Sequence, residues 1–279
     1  MSTIESVLAQ YEKNKQAASD NANRVSSEER LKKFFAPILP KGKQNDEKRI
    51  RILPTKDGST PFVEVYFHEI QVDGKWVKLY DPAQDGKRSP LNEVRQALLD
   101  TGKEADKETA KMYRSRKFYI VKVIDRENEQ DGVKFWRFKD NYKGEGILDK
   151  IFPIFKNKGD ITDIQNGRDL IVSLSLSKSG NGRDYTTISS VFPDDPTPLH
   201  EDSKIADEWV SDALKWSDVY SKKGEDYLEL VAMGEIPKWD TNLNKWVAGG
   251  SAEATIGGDT SDDVVDPQAD EDPDDNLPF

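Results

Sequence analysis

The sequence predicts a mainly β protein built on an antiparallel barrel, with helices inserted between the strands and flanking them. Stretches rich in β-branched and aromatic residues recur within residues 41–200, for example at 118–124 and 133–138. They come in pairs joined by short polar turns, which is typical of hairpins. Because strands and helices do not alternate regularly, a parallel sheet is disfavoured.

The first half of the chain contains both kinds of element. Apolar residues at helical spacing predict an amphipathic helix within residues 2–18, which would dock on the body or contact a second copy, and a brief helix at 29–35. Charged and aliphatic residues alternate in 48–54, which predicts a strand with Ile50 and Ile52 facing inward. Further along, we expect a hairpin at 62–80 turning at Asp73-Gly74, and helices starting at Ser89 and near Asp106.

The second half repeats this pattern after the central hairpin. A helix is expected from Gly146, broken by Pro153, followed by a hairpin of strands 169–178 and 183–191. Ser203 would cap a helix whose packed face carries Ile205, Trp209, Ala213, Trp216 and Tyr220. Trp239 and Trp246 would then pin a small loop.

Composition divides the chain into four regions. We expect a helical arm at 1–40, the barrel core at 41–200, a helix and Trp-pinned loop at 201–248, and a disordered acidic tail at 249–279. Residues 41–190 hold 29 Lys and Arg against 24 Asp and Glu, whereas residues 251–279 hold ten acidic residues and no basic one. This asymmetry indicates an anionic ligand for the body and a tail that competes with it.

Several classes of function lack the residues they need. There is no cysteine, which excludes disulfides and thiolate metal sites. His68 and His200 are the only histidines, so catalysis or metal binding by histidines is disfavoured. No phosphate-binding glycine loop occurs. We therefore expect no enzyme activity, no cofactor and no metal. Without a long apolar run or a signal pattern, the expected location is the cytoplasm, away from membranes.

The central strands carry the strongest functional signal, because rings and cations alternate there. Period two places Phe135 and Trp136 on opposite faces, so one ring should be exposed unless the strand is buried on both sides. Exposed rings beside Lys and Arg suit single-stranded nucleic acid, since bases stack on rings and phosphates meet cations. The predicted DNA contacts are Arg49, Arg51, Trp76, Lys78, Tyr80, Tyr113, Arg114, Arg116, Lys117, Tyr119, Trp136, Arg137, Lys139, Tyr142, Lys143 and Tyr185.

Five motifs in order carry a family resemblance. They are Lys48-Arg-Ile-Arg-Ile-Leu-Pro-Thr-Lys, Asp73-Gly-Lys-Trp, Phe118-Tyr-Ile-Val-Lys-Val-Ile-Asp, Val133-Lys-Phe-Trp-Arg-Phe and Ile147-Leu-Asp-Lys-Ile. Residues 45–190 thus resemble the core of the T-even-type bacteriophage single-stranded DNA-binding, or helix-destabilising, proteins. The resemblance implies an OB-fold with a cleft for one strand, lined by the residues above. That family holds zinc through three cysteines and a histidine and has a basic N-terminal arm; this chain keeps His68 but lacks the cysteines and the basic arm.

The last residues resemble a second family. Asp274, Asp275, Leu277, Pro278 and Phe279 match the tip of bacterial single-stranded DNA-binding proteins, which docks replication and repair enzymes. A terminal ring suits an apolar slot, and the neighbouring carboxylates suit an Arg or Lys collar.

The sequence thus predicts a non-catalytic protein that coats single-stranded DNA during phage replication, recombination or repair. It would recruit enzymes through its tip, and self-association on DNA is possible. The alternatives are an RNA-binding OB-fold protein, a protein–protein adaptor, and a magnesium-dependent nuclease.

Overall fold

A mainly antiparallel sheet of seven strands organises the molecule. The computed structural model describes residues 32–141, 144–178, 182, 184–220 and 222–251, without the side chains of 250 and 251. The strands of the main sheet are β1 (Asn45–Ile52), β2 (Val63–Val72), β3 (Lys75–Tyr80), β4 (Ser115–Asp125), β5 (Val133–Lys139), β6 (Arg168–Lys178) and β7 (Asp184–Pro196). Their order is β3-β2-β4-β1-β6-β7, and β5 pairs with the other edge of β4.

Helices occupy the connections and the C-terminal part. They are α1 (Pro90–Asp100), α2 (Glu104–Met112), α3 (Ile147–Lys158), α4 (Ser203–Ser211), α5 (Trp216–Val219) and α6 (Glu225–Ala232), with 3-10 turns at Pro82–Asp85 and Glu129–Asp131. A separate hairpin, β8 (Glu235–Asp240) with β9 (Lys245–Ser251), follows α6. The predicted class, mainly antiparallel β with inserted and flanking helices, is confirmed.

The largest apolar core lies on the inner face of the sheet. Ile50 and Ile52 of β1 face it as predicted, together with Val121 of β4, Val172 of β6 and Ile151 of α3. The alternation along each strand places these residues on one side, and α3 adds Ile151 and Ile154 to the same core. This core fixes the positions of β4 and β5.

The seam between β5 and β7 is filled by an N-terminal segment, residues 33–39. The backbone N–H of Phe35 donates to the carbonyl of Phe135 in β5 at 2.8 Å, and the N–H of Phe135 donates to the carbonyl of Lys33 at 2.7 Å. The N–H of Leu39 then donates to Oγ1 of Thr186 in β7 at 3.2 Å. The segment therefore bridges two strands that do not pair with each other in the described residues.

A second apolar cluster lies on the outer face of β2, β4 and β5. Residues 212–220, called the strap, cover it and include α5. Tyr220 packs on Phe67 with ring centroids 5.3 Å apart. Its hydroxyl donates to the carbonyl of Lys78 at 2.9 Å and accepts from the N–H of Tyr80 at 3.1 Å. Because β3 pairs only with β2 in the described residues, this hydroxyl satisfies two backbone groups on its other edge.

Three predicted elements are wrong in detail. The helix expected from Ser203 to Tyr220 is two helices, α4 and α5, because the chain turns away after Ser211, and the cap is Asp202, whose carboxylate accepts from the N–H of Lys204 at 2.9 Å. Pro153 does not break α3. Trp239 and Trp246 are direct partners across the β8–β9 hairpin. The helix at 2–18 and the acidic tail from 252 lie outside the described residues, as does most of the 29–35 helix.

Candidate nucleic-acid interface

Three strands, β3, β4 and β5, bring cations together around Glu69 of β2 on the outer face of the sheet. Lys78 lies opposite Glu69 across β3 and β2, and Arg116 of β4 lies opposite Phe67, two residues along β2 from Glu69. Arg137 and Lys139 of β5 lie opposite Ile120 and Phe118 of β4. Since opposite residues share a face, Lys78, Arg116, Arg137 and Lys139 surround Glu69 on one side of the sheet. We call these four residues the cation cluster.

Glu69 is the centre of the cation cluster. Its Oε2 lies 2.8 Å from Nζ of Lys139 and 3.4 Å from Nε of Arg116, and its side chain is only 19% exposed. Burial raises the pKa of Glu69, but the charges of Lys139, Lys78 and Arg116 outweigh it and hold this pKa below its ordinary value. Glu69 is therefore ionised at neutral pH, and the four cations exceed it in charge.

Arg137 lies over aromatic rings at the border of the strap. Its guanidinium carbon is 5.1 Å from the ring centroid of Phe118 and 5.7 Å from that of Phe67. Burial lowers the pKa of Arg137 to about 9, although Glu69 opposes the shift. The guanidinium stays charged at neutral pH, and the ring faces favour that charge.

Trp76 adds an exposed ring beside the cation cluster. It lies two residues from Lys78 on β3, hence on the same face, and is 48% exposed. A base can stack on such a ring while neighbouring phosphates meet the cations. Five of the predicted contacts are thus brought together on this face: Trp76, Lys78, Arg116, Arg137 and Lys139.

The other predicted contacts are scattered. Tyr80 shares the face but is buried, with Nζ of Lys222 3.6 Å above its ring. Lys117 and Tyr119 face the opposite side, where Nζ of Lys117 lies 3.3 Å from Asp140 and 3.8 Å from Glu64. Arg49 is exposed and paired with Asp194 at 2.7 Å. Tyr185 is half-buried on β7. Just before β4, Tyr113 is half-buried and Arg114 is exposed. Tyr142, Lys143 and the C-terminal tip lie outside the described residues.

Two predicted contacts are corrected because their side chains are fully buried. Trp136 is 1% exposed and packs against Phe35 with ring centroids 5.8 Å apart. The expectation that one face of β5 exposes a large ring is wrong, because the strap covers one face and the inner core the other. Arg51 is 0% exposed and bonds Asp169 at 3.0 Å and the carbonyl of Thr197 at 2.6 Å. It holds the β6 and β7 ends together and cannot face a strand of DNA.

Sequence reasoning missed Glu69 and Phe192. Alternation along β2 places Glu69 on the same face as Val65 and Phe67. Nothing in the sequence of β2, however, indicates that cations of three other strands lie beside it. Phe192 is 57% exposed and aligns with Arg49 through Ile171 of β6. The grouping of Glu69 with the cations and the alignment of Phe192 with Arg49 both depend on strand register, which cannot be deduced from the pattern of a single segment.

The residues around His68 do not fit a zinc ion. Its Nδ1 donates to the carbonyl of Tyr113 at 2.9 Å, and its Nε2 lies 3.5 Å from Oδ1 of Asp81. The chain has no cysteine, and the described residues contain no group of three His, Cys, Asp or Glu side chains arranged to hold a metal. Hydrogen bonds around Asp81 hold this part of the fold instead.

Comparison with known families agrees with this geometry. The model described as gp32 DNA binding protein like matches residues 44–231, more than half of the chain. The chain belongs to this gp32-like family. Membership confirms the resemblance to the T-even phage proteins and makes the gp32-like chain a DNA-binding protein. The match contains the strap and every residue of the cation cluster. No curated protein matches the chain, and in the described residues no helix is long and apolar enough to cross a membrane.

Proposed function

We propose that this gp32-like chain is a non-catalytic protein that binds single-stranded DNA across the outer face of β3, β2, β4 and β5. The observation that carries the proposal is the convergence of four cations and the exposed ring of Trp76 on one face. A single strand can turn its bases toward a ring and its phosphates toward cations at once, whereas in a duplex the bases are stacked on each other.

Strand connectivity supports an OB-fold as the frame of this site. Five strands in the order β5-β4-β1-β6-β7 pair antiparallel, and α3 connects β5 to β6 and packs on the inner core. The β2–β3 hairpin, α1 and α2 are inserted between β1 and β4. OB-folds bind oligonucleotides on the face of their second and third strands. Counted along the chain, the second and third of these five strands are β4 and β5, which carry Arg116, Arg137 and Lys139.

A fluorescence titration tests the preference for single strands. Oligo(dT), a duplex of the same length and the matching RNA would each be titrated at several salt concentrations. We expect tight binding of oligo(dT), quenching of tryptophan fluorescence, and much weaker binding of the duplex. Equal or tighter binding of RNA would favour the RNA-binding alternative, and no response to any of the three would favour the adaptor. Intact DNA after incubation with Mg²⁺ would exclude the nuclease.

We further propose a role in phage replication, recombination or repair, in which the tip recruits enzymes. The support is the sequence Asp274-Asp275-Asn-Leu277-Pro278-Phe279, in which an acidic stretch ends in apolar residues. Pull-down of replication proteins from infected cells, with Phe279→Ala as the comparison, tests this role. We expect the substitution to abolish capture while leaving DNA binding unchanged; equal capture by both chains would contradict it.

A further inference from the structure

Glu69 already engages two donors of the cation cluster. The Nζ of Lys139 and the Nε of Arg116 converge on its Oε2, at 2.8 and 3.4 Å. Carboxylate and phosphate oxygens accept from the same donors, so an arriving phosphodiester meets donors that are already engaged. The side chain of Lys139 is 30% exposed and that of Arg116 is 31% exposed, so both remain within reach of a ligand.

We propose that Glu69 is an internal competitor of the DNA backbone, which a phosphate must displace or bypass to reach Lys139 and Arg116. This inference rests on the proposed function. A carboxylate within a phosphate-binding surface lowers the affinity of that surface for phosphate in two ways. The carboxylate repels the incoming anion, and it neutralises a cation. Free nucleotides and inorganic phosphate therefore bind only weakly at this position. A polymer overcomes the competition because stacking on Trp76 and the other cations hold the strand in place.

The lowered pKa of Glu69 agrees with this assignment, because a carboxylate that stays ionised competes at any physiological pH. Its partners are supplied by different strands: Lys78 from β3, Arg116 from β4, and Arg137 and Lys139 from β5. Displacement of one carboxylate would thus release donors along a path that crosses the sheet.

The test is Glu69→Gln in the full-length chain, measured by titration with oligo(dT) across salt. Glutamine keeps the shape and removes the charge. We expect about tenfold tighter binding at low salt, and a slope of log affinity against log salt that is steeper by about 0.7, the value for one more phosphate contact on a single strand. The gain in affinity should be smaller for inorganic phosphate, which makes no stacking contact.

Glu64→Gln is the matched control. Glu64 is on the same strand and loses the same charge, but it faces the opposite side and pairs with Lys117. Equal gains in both variants would show that only net charge matters and would overturn the inference. Weaker binding by Glu69→Gln would also overturn it, because Glu69 would then serve only to hold the cations.

Two further readouts separate the possible failures. If the Gln variant does not fold, as judged by its thermal melt, Glu69→Asp withdraws the carboxylate by one methylene and must show a smaller gain; no gain overturns the inference. A wild-type chain that binds no single-stranded DNA would instead reject the proposed function itself.

Discussion

Two tryptophans of the sheet have opposite environments. Trp76 is half-exposed beside the cation cluster, whereas Trp136 is sealed between Phe35 and Phe138. Trp76→Ala should weaken oligo(dT) binding by about 1–3 kcal/mol with little change in stability. Trp136→Ala should instead cost about 3–5 kcal/mol of the free energy of unfolding. Titration and denaturant unfolding of both variants check this; weaker binding without lost stability in Trp136→Ala would contradict the assignment.

Asp81 makes stability depend on pH. Burial alone would raise its pKa, but His68, whose Nε2 lies 3.5 Å from Oδ1, and the N–H of Ala83, which donates to the same oxygen at 3.0 Å, hold the pKa well below its ordinary value of 3.8. A depressed pKa stabilises the fold above the unfolded value and loses that effect as the pH falls through the folded value. Asp81→Asn should therefore be less stable than the wild type at pH 7, and the difference should shrink below about pH 4.

Thermal melts between pH 2 and 7 measure this difference. Asp100→Asn, at the exposed end of α1, is the control and should follow the wild type throughout. A constant gap between Asp81→Asn and the wild type over the whole range would contradict the account.

Among the elements, the strap fixes the outer face on which DNA would lie. Tyr220 uses one hydroxyl for two backbone groups of β3. Lys122 of β4 binds the strap through its Nζ, which donates to the carbonyl of Asp212 at 2.7 Å. The strap covers the apolar end of the face and leaves the cation cluster at its border.

Tyr220→Phe tests the contribution of that hydroxyl. The ring still packs on Phe67, but the N–H of Tyr80 and the carbonyl of Lys78 lose their partner. We expect a loss of about 1–3 kcal/mol in the free energy of unfolding, because both groups are left without a hydrogen bond. Denaturant unfolding measures it, with Tyr66→Phe, an exposed tyrosine of β2, as the control. Equal stability of the two variants would contradict the role of the hydroxyl.

Strand positions were predictable from the sequence, whereas what covers each strand was not. Alternation located β1 to β7 and identified Ile50 and Ile52 as inward residues. The burial of Trp136 depends on Phe35, and that of Arg51 depends on Asp169 and Thr197, more than one hundred residues away. The cations and the exposed ring on the outer face belong to three strands, and all five residues were among the DNA contacts predicted from the sequence. Their grouping around Glu69 follows from register, which only the folded sheet determines.

In the whole molecule, charge is divided between the sheet and the C-terminal residues. The ten carboxylates of residues 251–279 are tethered to the body that carries the cation cluster, so we predict that they compete with DNA at high effective concentration. Deletion of residues 251–279 should raise affinity for short oligo(dT) at low salt, and the gain should fade as salt screens the charges. Equal affinities of the full-length and shortened chains at low salt would reject this competition.

The salt dependence of single-stranded DNA binding tests the central claim most directly. The variant Lys78→Gln, Arg116→Gln, Lys139→Gln removes three cations from the interface, and Lys103→Gln, Lys107→Gln, Lys111→Gln removes three from α2 and the residue before it. If the cation cluster meets the DNA backbone, the first variant should lower the slope of log affinity against log salt by about 2, while the second should leave it near the wild-type value. Unchanged slopes in the first variant, or equal losses in both, would show that DNA binds elsewhere.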